Sequence, residues 1–84
     1  MHESSLFTPE LISDVPKITM TGQTLIHLEQ HKGLLSYQED RVTFQTSLGA
    51  VTISGQQIHI KQYSASEAVL SGTFSSISYG GKPS

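Results

Sequence analysis

The sequence predicts a small all-β domain, and three observations carry that expectation. Apolar and small polar side chains alternate with a period of two in stretches such as Val51-Thr-Ile-Ser-Gly-Gln-Gln-Ile-His-Ile60, the pattern of strands with one dry and one wet face. Turn signals recur every eight to ten residues, the spacing of compact all-β domains. The connecting stretches are too short for the dozen or more residues that a parallel crossover needs, so the strands should pair antiparallel. The expected architecture is a small sandwich or roll of about six to eight short strands. It spans residues 16–79, with an N-terminal arm at 1–15 and a flexible tail at 80–84. A short β-solenoid is the alternative, favoured by the even strand spacing and disfavoured by the short loops.

The arm opens with a helix-start signal. Thr8-Pro9-Glu10 offers an N-cap, a proline at the first helical position and an acid at the positive end of the dipole. Phe7 and Ile12 stand at the positions of a hydrophobic staple. Pro16 forces Val15 out of helical geometry, which limits any helix to a turn or two. Beyond Pro16 the pattern is β throughout. Ile18 and Met20 alternate up to Gly22; Ile26 and Leu28 follow, ending at His31-Lys32-Gly33. Leu35 and Tyr37 lead into the turn Gln38-Glu-Asp40, and Val42 and Phe44 precede Gly49. Gly49 and Gly55 bracket a five-residue strand, so hairpin turns with positive φ are expected at both. Ile58 and Ile60 would form a separate strand before Tyr63. From Val69 to Tyr79 the alternation continues across Gly72, which predicts a bulge or sharp bend there rather than a turn.

Composition narrows the function classes. The chain has 84 residues, and a domain of that size buries only about 60–65% of its unfolded surface. It has no cysteine, which removes disulfide staples and thiolate metal sites and leaves association as a means of stabilisation. A formal charge of −2 and a pI near 6.0 argue against nucleic acid or an acidic membrane as the main partner. No apolar run approaches the roughly 18–20 residues of a membrane span, and the start lacks a signal-peptide pattern, so a soluble cytosolic protein is expected. Nine of the twelve charges fall in the first 41 residues, and Val42–Gly81 carries only Lys61 and Glu67. Sheets usually place Lys, Glu or Pro on free edges to prevent pairing. Their scarcity here points to a surface built to meet another protein, with Thr52 and Ser54 on the candidate interaction face.

Candidate chemical sites are weak by comparison. His27 and His31 are four apart, which on a strand separates them by roughly 13 Å, too far to share a metal. His59 could approach only across strands. His31 is better read as a structural hydrogen-bond donor at the loop before Gly33. No Gly-x-Ser-x-Gly elbow accompanies the many serines. Glu39-Asp40 reads as a solvated turn, since adjacent strand residues face opposite ways. Tyr37, Phe44, Tyr63, Phe74 and Tyr79 could stack nucleic-acid bases, but no basic groove accompanies them and a core role is simpler. No catalytic residue, metal ligand or cofactor site is assigned.

Four blocks also resemble a known family. They are Pro16-Lys-Ile-Thr-Met-Thr-Gly22, Leu28-Glu-Gln-His-Lys-Gly-Leu-Leu-Ser-Tyr37, Gly49-Ala-Val-Thr-Ile-Ser-Gly55 with Ile58 and Ile60, and Leu70-Ser-Gly-Thr-Phe74 with Ile77 and Tyr79. Together they resemble the YabP/YqfC family of sporulation proteins, and within it the YqfC branch. The motif positions are Pro16, Gly22, Glu29, His31, Lys32, Gly33, Tyr37, Gly49, Gly55 and Gly72. Gln30 stands where that family usually has Asn, Ile58 where it has Leu, and Phe74 where it has a small β-branched residue. The resemblance implies a protein made in the mother cell of an endospore former, peripheral at the outer forespore membrane and partnered by an integral membrane sporulation protein. It implies no catalysis and no cofactor. The expected function is assembly or scaffolding through self-association, membrane-protein docking, or both. The alternative is a small barrel binding a glycan or other small ligand during cortex construction, with Glu29, His31 and Tyr37 as its nucleus.

Overall fold

The computed structural model describes residues 15–80. Residues 1–14 of the arm, with its expected helix start, and residues 81–84 of the tail lie outside the described residues. Among the described residues, six strands form one antiparallel sheet: β1 (Lys17–Thr21), β2 (Leu25–Glu29), β3 (Gly33–Gln38), β4 (Arg41–Thr46), β5 (Gly49–Tyr63) and β6 (Glu67–Tyr79). Their order across the sheet is β1-β2-β6-β5-β4-β3. No parallel pairing occurs among the described strands, which removes the solenoid alternative.

The two long strands carry the sheet around a corner. Residues 59–63 of β5 pair with residues 68–71 of β6, next to β2 and β1. Residues 51–54 of β5 pair with residues 76–79 of β6, next to β4 and β3. The sheet thereby becomes two leaves closing over one core. The first leaf contributes Ile26, Leu28, Ala68 and Leu70, and the second Val42, Phe44, Val51 and Ile53; Ile58 and Phe74 fill the corner. All ten are at most 1% exposed. Each inner residue is flanked by an outward one, as the two-residue period requires.

The corner corrects one sequence expectation. Gly55 is not a hairpin turn, and residues 49–55 and 58–60 are not separate strands: β5 runs through them with register shifts after Ser54 and Gln56. A Cβ on Gly55 would overlap the Thr73 carbonyl oxygen and lie 2.9 Å from Phe74 Cα, so glycine is needed for close approach of the backbones. Gly72 bends β6 at the same corner, as expected, and a Cβ there would lie 3.0 Å from the carbonyl oxygens of Gln56 and Gln57. Gly49 does close a hairpin: it pairs with Thr46 across Ser47-Leu48, and Thr46 Oγ1 donates to its carbonyl at 2.7 Å.

The two leaves repeat one design. Exchanging the hairpin β1–β2 with β3–β4, and β6 with β5, reproduces the strand order. Ile53-Ser54-Gly55 corresponds to Leu70-Ser71-Gly72. Gly55 N–H donates to the Asp40 carbonyl in one hairpin turn (3.0 Å), and Gly72 N–H donates to the Thr24 carbonyl in the other (3.2 Å). Ile58 N–H reaches Glu39 O and Phe74 N–H reaches Gln23 O, both at 2.8 Å. The β5 corner has one additional residue, accommodated by Gln57 at φ 55°. A pseudo-two-fold relation therefore places β1 and β3 in equivalent positions at the two free edges.

Candidate interaction surface

The link between the leaves, residues 30–32, holds the most specific motif of the chain. Gln30 adopts φ 66°, a left-handed conformation that Asn tolerates better than most residues, which accounts for the usual Asn at that position. Gln30 and His31 N–H both donate to the Ser66 carbonyl, at 2.7 and 3.1 Å. His31 is buried at 2% exposure, its ring 5.1 Å from Phe44 and 5.2 Å from Tyr63. Its Nδ1 accepts the Gly33 N–H at 3.0 Å. That fixes the proton on Nε2, which donates to the Glu67 carbonyl at 3.3 Å. His31 is thus a structural clasp, accepting rather than donating at Gly33.

The other candidate nucleus is not assembled. Glu29 lies on the outward face of the first leaf, His31 is inside, and Tyr37 lies on β3 with its hydroxyl donating to the Ile58 carbonyl at 3.2 Å. No concave site gathers these three. His27 lies outside with its Nε2 3.1 Å from Glu67 Oε1 and its Nδ1 3.9 Å from Glu29 Oε2, away from His31. Among the described residues no three His, Asp or Glu side chains are placed to share a metal. Phe44 and Phe74 are core, whereas Tyr37, Tyr63 and Tyr79 are about half exposed.

Among the described residues, the fold leaves open two edges and a face. On the outer face of the second leaf, Ser36, Thr43, Thr52 and Ser78 form one cross-strand row, and Gln38, Arg41, Ser54 and Ser76 the next. The hydroxyls of Thr43 and Thr52 meet at 3.2 Å. Arg41 is the only charge in these two rows. The first leaf differs, with Lys17, Glu29 and Glu67 aligned in one row. Thr52 and Ser54, named from sequence, are therefore central to the uncharged face.

Sequence reasoning did not find the edges. Residues 34–38 of β3 are all exposed, and between Lys32 and Glu39 the strand has neither charge nor proline. Leu35 is 56%, Tyr37 46% and, on β1, Met20 41% exposed. The missing Lys, Glu or Pro in Gly33–Gln38 was the available signal.

The direction of the free backbone groups follows from the turn bonds. Because Gly72 N–H reaches Thr24 O, the Thr24 carbonyl and the polar groups of Ile26 and Leu28 turn toward β6, and the alternate residues of β2 turn theirs toward β1. Thr19 and Thr21, opposite them, face β2, which leaves the N–H and C=O of Ile18 and Met20 pointing off the edge. Likewise Gly55 N–H on Asp40 O sets Val42 toward β5 and Arg41 and Thr43 toward β3. Ser36 and Gln38, opposite these, face β4, and Tyr37 presents its N–H and C=O to the open side.

With this geometry established, comparison with known proteins is informative. The model of the YabP family matches residues 13–84. The chain is 37% identical over 71 residues to a Bacillus subtilis (strain 168) protein named "Uncharacterized protein YqfC", covering 84% of this chain and 76% of that one. The chain belongs to the YabP family. The family match includes every motif residue from Pro16 to Gly72. No solved structure matches the chain. No helix among the described residues is long and apolar enough to cross a membrane.

Proposed function

We propose that this YabP-family protein is a non-enzymatic assembly component in spore formation, acting through its sheet surfaces on its own copies, on a membrane protein, or on both. In the mother cell it would lie at the outer forespore membrane, as the family resemblance implies. One observation carries the reading: among the described residues both edges of the sheet are open, and β3 lacks the charges and prolines that prevent pairing. Added strands would supply main-chain hydrogen bonds, each worth about 0.5–1.5 kcal/mol net, with alternate side chains setting specificity. The uncharged face around Thr52 and Ser54 offers a second contact.

The test is mass determination of the native complex isolated from sporulating cells, beside sedimentation of the purified protein. Self-association, or co-isolation of a membrane protein, is the expected result. A lone monomer in both preparations refutes the reading. The paired change Thr52→Lys and Ser54→Lys then separates face from edge. Loss of association with the fold intact assigns the face, and unchanged association excludes the face, leaving the edges or the N-terminal arm.

A further inference from the structure

We infer that the protein assembles head to tail, β1 of one copy adding antiparallel to β3 of the next, with Ile18 opposite Tyr37. This rests on the assembly reading above and names its partner as a second copy of this chain. Three features agree on that register. The first is backbone phase: Ile18 and Tyr37 both point their N–H and C=O off the free edges, so this pair exchanges two hydrogen bonds. The second is facing. Ile18 pairs in register with buried Leu28 and Tyr37 with buried Val42, so both lie on the inner surface. Thr19 then falls opposite Ser36 on the outer surface, and Met20 reaches the bulge at Leu34 and Leu35. A shift of one residue would set Ile18 against Ser36 or Gln38 and mismatch the backbone groups of the two edges. The third is charge: Lys17, the only charge on β1, falls opposite Gln38, beside Glu39 and Asp40.

Two-fold pairings satisfy less. A β3–β3 contact leaves β1 open and sets two bulged strands against each other. A β1–β1 contact leaves the uncharged β3 edge exposed and gives Lys17 no acid. Of the three contacts, the head-to-tail one alone covers both edges of every molecule by itself, and such a heterologous contact generates rings or filaments according to whether its rotation closes.

The chain has no cysteine, which makes the register directly testable by disulfide trapping in the full-length protein. Thr19 and Ser36 would form a non-hydrogen-bonded pair, whose separation suits a disulfide. Thr19→Cys and Ser36→Cys proteins, distinguished by mass tags, are mixed and oxidised, with circular dichroism confirming that each is folded. Mixed dimers as the dominant product, and a ladder of multimers from the double variant, are expected. Homodimers of Ser36→Cys alone would overturn the inference in favour of a two-fold β3 contact. No cross-links from a protein that still sediments as an oligomer would also overturn it while sparing the assembly reading. An uncross-linked monomer would overturn both.

Discussion

The corner of the sheet makes the sharpest energetic prediction. Adding one methyl group at Gly55 places it into the Thr73 carbonyl oxygen and within 2.9–3.0 Å of Phe74 Cα and Thr73 C. All three are backbone atoms of the paired strand, so no side chain can swing aside. Relief requires β5 and β6 to part where Ile58 and Phe74 fill the core. Overpacking typically costs about 1–3 kcal/mol and more when the obstacle is rigid, so about 3 kcal/mol is expected for Gly55→Ala. Total stability for a chain of 84 residues is on the order of 4–12 kcal/mol, so the loss is a large share of it. Gly22→Ala is the control: φ is 56° and nothing lies within 4 Å, so only left-handed strain applies, about 1 kcal/mol. Gly72→Ala should cost more than Gly22→Ala, because three backbone atoms lie at 3.0 Å and its φ of 150° is itself strained for a residue with a side chain. Urea and thermal unfolding followed by far-ultraviolet circular dichroism measure the order, at matched dilute concentration so that association contributes equally. The gap of about 2 kcal/mol between Gly55→Ala and Gly22→Ala corresponds to roughly 8–16 °C in Tm. If the two variants melt together, close approach at Gly55 is not what holds the corner.

Three further substitutions test the hydrogen bonding. His31→Phe keeps the ring between Phe44 and Tyr63 but takes away the acceptor of the Gly33 N–H and one of the donors to the Glu67 carbonyl, which keeps the Ser64 N–H, for an expected loss of about 2 kcal/mol in urea; wild-type stability would show that the clasp is only packing. Thr46→Val removes the bonds to Gly49 O and Leu48 N–H and should lower stability by about 1–2 kcal/mol, read from the same curves. Proline distinguishes the backbone phase of β3: Tyr37→Pro removes only an outward N–H and the hydroxyl bond to Ile58, whereas Ser36→Pro removes a ladder donor. Ser36→Pro should therefore be less stable than Tyr37→Pro by about 2 kcal/mol, and Tyr37→Pro should abolish association while remaining folded. The opposite order of stabilities would reverse the assigned phase.

Much of this fold was legible because it is written in local alternation. Ile26 and Leu28, Val42 and Phe44, and Val51 and Ile53 all occupy the inner face that their spacing predicted. Gly72 was readable as a bend because alternation ran unbroken on both sides of it. Gly55 was not, because Gly-Gln-Gln between two alternating runs looks like a turn whether the chain reverses or continues. What decides it is Thr73, eighteen residues away in sequence, lying against Gly55 from the neighbouring strand. The same limit hid the edges. Placing β6 between β2 and β5 is a long-range choice, and only then do β1 and β3 become the outermost strands. The repeat of Ile53-Ser54-Gly55 in Leu70-Ser71-Gly72 was a visible signal of the paired corners, although three residues are too few to establish an internal symmetry without the topology.

That internal symmetry also gives the surface its directionality. Since β1 and β3 are pseudo-equivalent, they present matching backbone phase and matching inner and outer faces as a consequence of the fold. Any two such edges could in principle pair. What breaks the equivalence is side-chain chemistry: Lys17 begins one edge, while Glu39-Asp40 ends the other, and the bulge at Leu35 occurs only in β3. Small differences of this kind are how a nearly symmetric unit selects an unlike edge over a like one, because specificity is a difference between competing contacts rather than the strength of one. A sheet this lightly charged has few other means of choosing. The outer face of the second leaf, with its single Arg41, remains uncovered by edge pairing and would recur once per copy, separated from the next by a first leaf bearing Lys17, Glu29 and Glu67. The edges would thus join the copies and leave a repeated hydroxyl-lined patch for any further partner.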